Sequence, residues 1–565
     1  MIKERKERIR KLLCKIYGSE DGEKAFKKIE NNISNCAREE VKEYFSEKDI
    51  FLITYGDSLK KKGEKPLSTL SKFGKTNLKG IFSAIHILPF FPYSSDDGFS
   101  VMDYYSVTPE LGSWEDIGEI GKDFKLMFDL ILNHVSAQSE WFRKYLAGKK
   151  GFEQLAIECD PSTDLSAVVR PRTSPLLTPY TKDNGEKIYL WTTFSADQID
   201  LNFKSTDVLE KMIDVLLFYV KQGASIIRLD AIAYLWKEIN TPCIHLPEDH
   251  SMVKLLRQVI NCVEPEAVIL TETNVPHKEN ISYFGNGYDE AQMVYNFTLP
   301  PLLLHSFLAE DITTFSDWVD SLSLFSKETT FFNFTASHDG IGIRPIENII
   351  SKEELEKIIT HVKNNGGRIS YKKNPDGSES PYELNITYVD ALMKKDKTYH
   401  AERFIASQSI AMVLPGVPAV YIHSLLGSHN WNEGVKQTGH LRTINREKLN
   451  YDKVMEELND SNSFRSRVFD RYIRLLKIRI KQPAFHPNAS FKVLKVNPKV
   501  FSLIRETIEQ KIFVFVNVSS QKLEISLTEN NIPPNLKDLI TDTVISQDRL
   551  ELSPYQIVWL SKGSQ

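Results

Sequence analysis

The chain has 565 residues, 41% hydrophobic and 11% aromatic, which excludes a disordered chain and makes it too long for one core. With 71 basic against 75 acidic residues the net charge is −4, so no global field singles out nucleic acid or an anionic membrane as a partner. Five scattered cysteines (Cys14, Cys36, Cys159, Cys243, Cys262) are odd in number and lack metal-ligand spacing, the pattern of reduced thiols rather than of a disulfide or zinc framework.

In chain order, the opening M-I-K-E-R-K-E-R-I-R-K carries charge where a secretory signal needs an apolar core. With no later run of membrane-spanning length, the expectation is a cytoplasmic protein. Residues 1–48 predict a charged helical extension, with Ile9, Leu12, Leu13 and Ile16 at helical spacing. Strand-like apolar runs follow at Phe51–Gly56, Ala84–Phe91 and Leu126–His134, completing a segment 49–136. The next stretch, 137–205, is rich in Pro, Thr and Asp and too long for a simple connection, so it predicts a small inserted domain. Five further runs lie at Ser225–Asp230, Ala267–Glu272, Met293–Phe297, Phe331–His338 and Ala419–His423 within 206–485, alternating with helical stretches such as Val208–Lys221 and ending with a helix around Phe469–Lys481. From 486 to 565 short alternating segments predict a C-terminal antiparallel β domain. The expected fold class is α/β, a (β/α)8 TIM barrel with an inserted domain after strand three and the β domain appended.

Three of these runs end in a carboxylate: Asp230 in A-S-I-I-R-L-D-A-I-A-Y, Glu272 in A-V-I-L-T-E-T-N and Asp339 in F-F-N-F-T-A-S-H-D. A strand-ending carboxylate stands at the C-terminal mouth of a barrel, where such folds build active sites. Alone, each reads as readily as a helix cap. In this order, with Arg228 two residues before the first and His338 directly before the last, they resemble the α-amylase family of retaining glycosidases and transglycosidases. That resemblance implies Asp230 as nucleophile, oriented and kept ionised by Arg228 on the same strand face, and Glu272 as acid/base. It gives Asp339 the sugar hydroxyls of the transition state. It also places His134, after Asp129 and Asn133 in D-L-I-L-N-H, on the bound glucose, with His338, Phe99 as a stacking platform, and Tyr234 beside the nucleophile string.

The strings H-I-L-P-F-F-P-Y-S-S-D-D-G-F, T-L-P-P-L-L-L-H, S-H-D-G-I-G, Y-E-L-N-I-T-Y and L-P-G-V-P-A-V-Y resemble the sucrose phosphorylase subfamily over roughly 51–480. The resemblance implies a closed glucose site formed by Asp97 (or its neighbour Asp96) and Arg446 of I-N-R, with Glu383 where relatives carry Gln. It further implies phosphate binding by R-P-R, Arg172 being a better match than Arg170, and by Tyr382. The strings T-E-T-N-V-P-H-K-E-N-I and V-V-R-P-R-T-S-P-L-L-T-P-Y are similar to the glucosylglycerate phosphorylase branch. The implied reaction is phosphorolysis of 2-O-α-D-glucosyl-D-glycerate to α-D-glucose 1-phosphate and D-glycerate through a covalent β-glucosyl-enzyme. It uses inorganic phosphate as co-substrate and no metal or organic cofactor. Glucosylglycerol, sucrose and sucrose 6'-phosphate remain alternative donors. A non-catalytic amylase-like interaction protein is the reading from another class, against which the intact carboxylate triad weighs.

Overall fold

The computed structural model describes residues 2–33, 43–374 and 377–562. Eight parallel strands close a barrel: β1 Phe51–Thr54, β2 Ala84–Ile87, β3 Lys125–Ile131, β4 Ala224–Asp230, β5 Val268–Thr271, β6 Met293–Tyr295, β7 Thr330–Phe334 and β8 Val417–Tyr421, with β8 pairing back onto β1. Nearly every barrel-strand residue is buried, because helices cover the outside and side chains fill the inside. The apolar runs read from the sequence therefore lack alternation. Register sets the site: Asp129 on β3 lies opposite Arg228 on β4, and Ile131 opposite Asp230.

Most strands are shorter than their apolar runs. The run at Ala84 stops at Ile87 because Leu88, Pro89 and the residues beyond turn into a loop. The third ends at Ile131, and His134 instead opens a short strand, His134–Ser136, antiparallel to Gln198–Asp200. The eighth is displaced to Val417–Tyr421, with His423 on the helical turn Ile422–Leu425. Pro418 sits within that strand despite lacking a donor, in register with Asn333 of β7.

Between β3 and β4 the inserted segment forms the hairpin Leu177–Thr181/Lys187–Trp191 and the arm ending at Asp200. A second excursion, not foreseen from sequence, follows β7: the strands Ile341–Gly342, Arg368–Lys373 and Glu379–Asn385 form a three-stranded antiparallel sheet. It carries Tyr382 and Glu383.

Two N-terminal helices, α1 Ile2–Tyr17 and α2 Ser19–Glu30, pack on the barrel helices α3 Thr206–Lys221 and α4 Pro247–Val263. A Cβ on Gly22 of α2 would stand 2.5 Å from the Cα of Cys14, so only glycine permits this approach of α1 and α2. The helical expectation for 34–42, and Cys36, lie outside the described residues. At the other end, α5 His400–Val413 and α6 Phe464–Arg479 support a six-stranded antiparallel sheet beginning at Ser490. One face of that sheet, with Phe501, Val514 and Trp559, joins the main core; the other, with Phe513 and Phe515, covers a two-stranded ribbon. No helix among the described residues is long and apolar enough to cross a membrane.

Candidate active site

The C-terminal ends of β4, β5 and β7 deliver Asp230, Glu272 and Asp339 to one cavity, also lined by Phe99, His134, Arg172, Tyr234, His338 and Tyr382. Arg228 lies beneath them, almost wholly buried. Its Nη1 donates to Asp129 Oδ1 at 2.6 Å and to Asp230 Oδ1 at 2.7 Å, its Nε donates to the Tyr295 hydroxyl at 3.2 Å, and its Nη2 stands 4.0 Å from Glu272 Oε2. One guanidinium thus faces both candidate catalytic carboxylates. Asp129 accepts a second bond from His86 Nε2 at 2.7 Å, which fixes the base of the assembly.

The backbone joins the same pair. Ala231, directly after Asp230, adopts a left-handed conformation with φ 49°, and its amide donates to Glu272 Oε2 at 3.1 Å. A left-handed alanine is strained, and such strain collects where a structure needs a particular turn.

Burial raises Glu272 to about 7, and the charges of Asp230 and Asp339 add to the rise against the opposing pull of Arg228. Burial also raises Asp230, even against Arg228, whereas the sequence predicted a carboxylate held ionised by that arginine. The two carboxyls titrate as a pair. Because Arg228 contacts Asp230 at 2.7 Å and Glu272 only at 4.0 Å, the proton leaves Asp230 first and stays on Glu272. For Asp339, burial pushes upward but is overcome by Arg442, His338 and Arg446, so this carboxyl lies well below the usual range.

The glucose-site candidates divide into lining and supporting residues. Asp97 has φ 49° and its Oδ2 accepts from Arg446 Nη1 at 2.6 Å, while Arg446 Nε donates to the His338 carbonyl at 2.7 Å. This pair stands behind the lining, and Asp96 is the loop carboxylate on the cavity wall. His338 stacks on Phe99 with centroids 4.9 Å apart and planes 3° apart, so the ring face it covers is not open to a sugar. Burial lowers His338 to about 3, which keeps it neutral. His338 Nδ1 and Arg446 Nη2 are buried polar atoms without a hydrogen-bond partner. His134 Nε2 donates to the Phe99 carbonyl at 2.8 Å. Glu383 is 2% exposed and does not line the cavity; both its oxygens accept from Arg442, at 2.9 and 3.0 Å, and Arg442 Nη1 lies 2.5 Å from Asp339 Oδ1. Its route to any substrate is therefore through Arg442.

On the acceptor side the Arg172 guanidinium sits 5.8 Å from the Phe194 ring centroid and 5.7 Å from that of Tyr382. Aromatic faces hold it in place while its N–H groups remain usable, an arrangement suited to an oxyanion. Arg170 instead donates to the Ser174 carbonyl and lines an adjoining cavity.

Sequence reasoning missed Phe194, Gln198, Asn274 and Arg442, all on the cavity wall. Arg442 was discoverable four residues before Arg446 in the same L-R-T-I-N-R string. Gln198 was not, because only the antiparallel pairing of Gln198–Asp200 with His134–Ser136 brings its amide to 3.1 Å from His134 Nε2.

Comparison with known proteins agrees with this geometry. Residues 78–344 match the α-amylase catalytic domain. The chain is 46% identical to the glucosylglycerate phosphorylase of Spirochaeta thermophila, covering 98% of each chain. It is 43% identical to that of Escherichia coli, covering 98% of this chain and 100% of the relative. Among solved structures, the sucrose 6F-phosphate phosphorylase of Thermoanaerobacter thermosaccharolyticum superposes with a TM-score of 0.74 at 26% identity, over 85% of this chain and 96% of that one. The chain therefore belongs to the α-amylase family, and within it to the glycoside phosphorylases that include the glucosylglycerate phosphorylases.

Proposed function

We propose that the protein catalyses reversible, retaining phosphorolysis of 2-O-α-D-glucosyl-D-glycerate. In the first half-reaction an Asp230 carboxylate oxygen attacks the anomeric carbon and the bond to the glycerate oxygen breaks. Glu272 gives its proton to that oxygen, so glycerate leaves and a β-glucosyl ester remains on Asp230. In the second, a phosphate oxygen attacks the same carbon, the ester breaks, and Glu272 takes back a proton from phosphate. Two inversions return α-D-glucose 1-phosphate. Asp339 and His338 on the cavity wall hold the glucosyl unit, and Arg446, behind the lining, positions His338 through its carbonyl. The reaction needs no metal or organic cofactor, since carboxylates supply both the nucleophile and the proton transfer. Cys14, Cys159 and Cys243 are free thiols, which supports a reducing, cytoplasmic setting.

The observation that carries the reading is the occupancy of one cavity by two kinds of machinery. A carboxylate pair shares Arg228, and the Arg172 guanidinium is held between aromatic rings beside it. A hydrolase has no use for the second. The direct test incubates the purified chain with phosphate and, separately, glucosylglycerate, glucosylglycerol, sucrose and sucrose 6'-phosphate, and assays α-glucose 1-phosphate. Release from glucosylglycerate well above the other three is the expected result. In Arg172→Ala the apparent KM for phosphate should rise and products should shift toward free glucose, by roughly 1.5–3 kcal/mol, the worth of hydrogen bonds to a charged group. An unchanged phosphate dependence and product ratio in that variant would remove Arg172 from the acceptor site.

A further inference from the structure

Beside the catalytic cavity lies a second one, which shares Pro171 and Tyr382 with it. It is the larger of the two, about 540 Å³ against about 80 Å³. Its lining includes four cationic residues from three separate parts of the chain, Lys372 and Lys373 projecting to opposite faces of their strand. Arg170 belongs to the inserted segment, Arg344 to the turn after β7, and Lys372 and Lys373 to the strand Arg368–Lys373. No Asp or Glu stands among its described lining residues.

Such a grouping is unexpected in a chain of net charge −4, and folding alone gives no reason for it. Like charges gathered about one concavity repel each other, and low-dielectric walls focus their field into the opening. Glu347 lies 3.2 Å from Lys372 and Glu279 lies 3.9 Å from Arg344, but both stand outside the lining, with side chains 40% and 44% exposed, where water screens them. Arg170 uses one donor on the Ser174 carbonyl and keeps the rest of its fork. The cavity also abuts the acceptor wall, because Tyr382 lines both chambers and stands against Arg172.

We infer that this cavity is an anion-gathering vestibule, which binds inorganic phosphate weakly and passes it across Tyr382 to Arg172. The inference rests on the phosphorylase reading and extends it. Phosphate, glycerate and glucose 1-phosphate are all small anions that must cross the same rim, whereas the glucosyl unit is neutral. A positive antechamber raises the local concentration of the acceptor over water, which favours transfer to phosphate over hydrolysis.

The test compares the parent chain with Lys372→Gln/Lys373→Gln and with the charge-keeping Lys372→Arg/Lys373→Arg. Glucose 1-phosphate formation is followed against phosphate concentration at low and high salt, and folding is checked by thermal melting. In the glutamine variant the KM for phosphate should rise about three- to tenfold at low ionic strength. The gap should narrow as sodium chloride approaches about half molar, where screening acts within a few ångströms. The arginine variant should behave as the parent. If the parent forms glucose 1-phosphate and the glutamine variant shows the same KM and the same salt dependence, the vestibule is refuted while the phosphorylase reading stands. A parent chain that forms none from any donor overturns that reading, and the vestibule with it.

Discussion

Arg228 contacts Asp230 closely and Glu272 at the edge of ion-pair range, and this asymmetry divides the labour between two buried carboxyls. Asp230→Asn keeps the side-chain volume and removes the nucleophile, so turnover should fall on the order of 10³-fold or more with melting behaviour intact. Normal rates in that variant would refute the assignment. Glu272→Gln should spare α-glucosyl fluoride, whose leaving group needs no proton, far more than a natural glycoside; equal losses on both donors would deny Glu272 the acid role. The pH dependence follows from the same residue. Glu272 sits near 7, above its ordinary value, and the first half-reaction needs it protonated. kcat/KM for the glycoside should therefore hold below that pH and decline about tenfold per unit above it, whereas the fluoride should show no such alkaline limb. Arg442 bridges Glu383 and Asp339, so Glu383→Gln and Arg442→Lys should not add. A double-mutant cycle on kcat/KM should return a coupling of about 0.5–3 kcal/mol, and a value near zero would mean that Glu383 acts on its own.

At the scale of elements, the close approach of α1 and α2 is a packing device remote from the chemistry. Gly22→Ala pushes a methyl into the backbone at Cys14, and overpacking of this kind costs about 1–3 kcal/mol. The melting temperature should drop while kcat/KM of the folded enzyme stays at the parent value; an unchanged melting curve would show that the helices separate freely. Carboxylates at strand ends were legible in the sequence because a buried parallel strand is written as an unbroken apolar run, and its end marks the barrel mouth. The eight strands were legible for the same reason, and the C-terminal sheet through its short alternating segments. What escaped were contacts made by irregular chain. His134 was read as the end of β3 although it opens another strand, since period and hydrophobicity do not register the turn at Asn133. The three-stranded sheet carrying Tyr382 and Glu383 is half-exposed and polar, so its strands lack the apolar signal that announced the barrel. The ion pairs of Glu383 and Arg442 connect positions 59 residues apart, a separation on which local pattern carries no information.

At the scale of the molecule, the C-terminal sheet is joined to the barrel by charge as well as by core. Buried Arg505 donates to the Val413 carbonyl at 2.6 Å and the His486 carbonyl at 2.5 Å, and Arg479 of α6 donates to the Met412 carbonyl at 2.8 Å. Met412 and Val413 end α5, where cations meet the negative end of the helix dipole. Arg505→Met should strip those carbonyls of their donors and cost about 1.5–3 kcal/mol, read as a lower midpoint in denaturant; an unmoved midpoint would show that Arg505 does not strengthen the junction. Near the centre of the whole assembly stands one residue that the fold holds against its own preference, Ala231 at φ 49°. Glycine there would relieve roughly 1–2 kcal/mol. It would also slacken the amide that anchors Glu272. A population of variants screened for heat resistance alone would therefore be drawn toward glycine at 231 and would pay in turnover, whereas a screen for product would keep alanine.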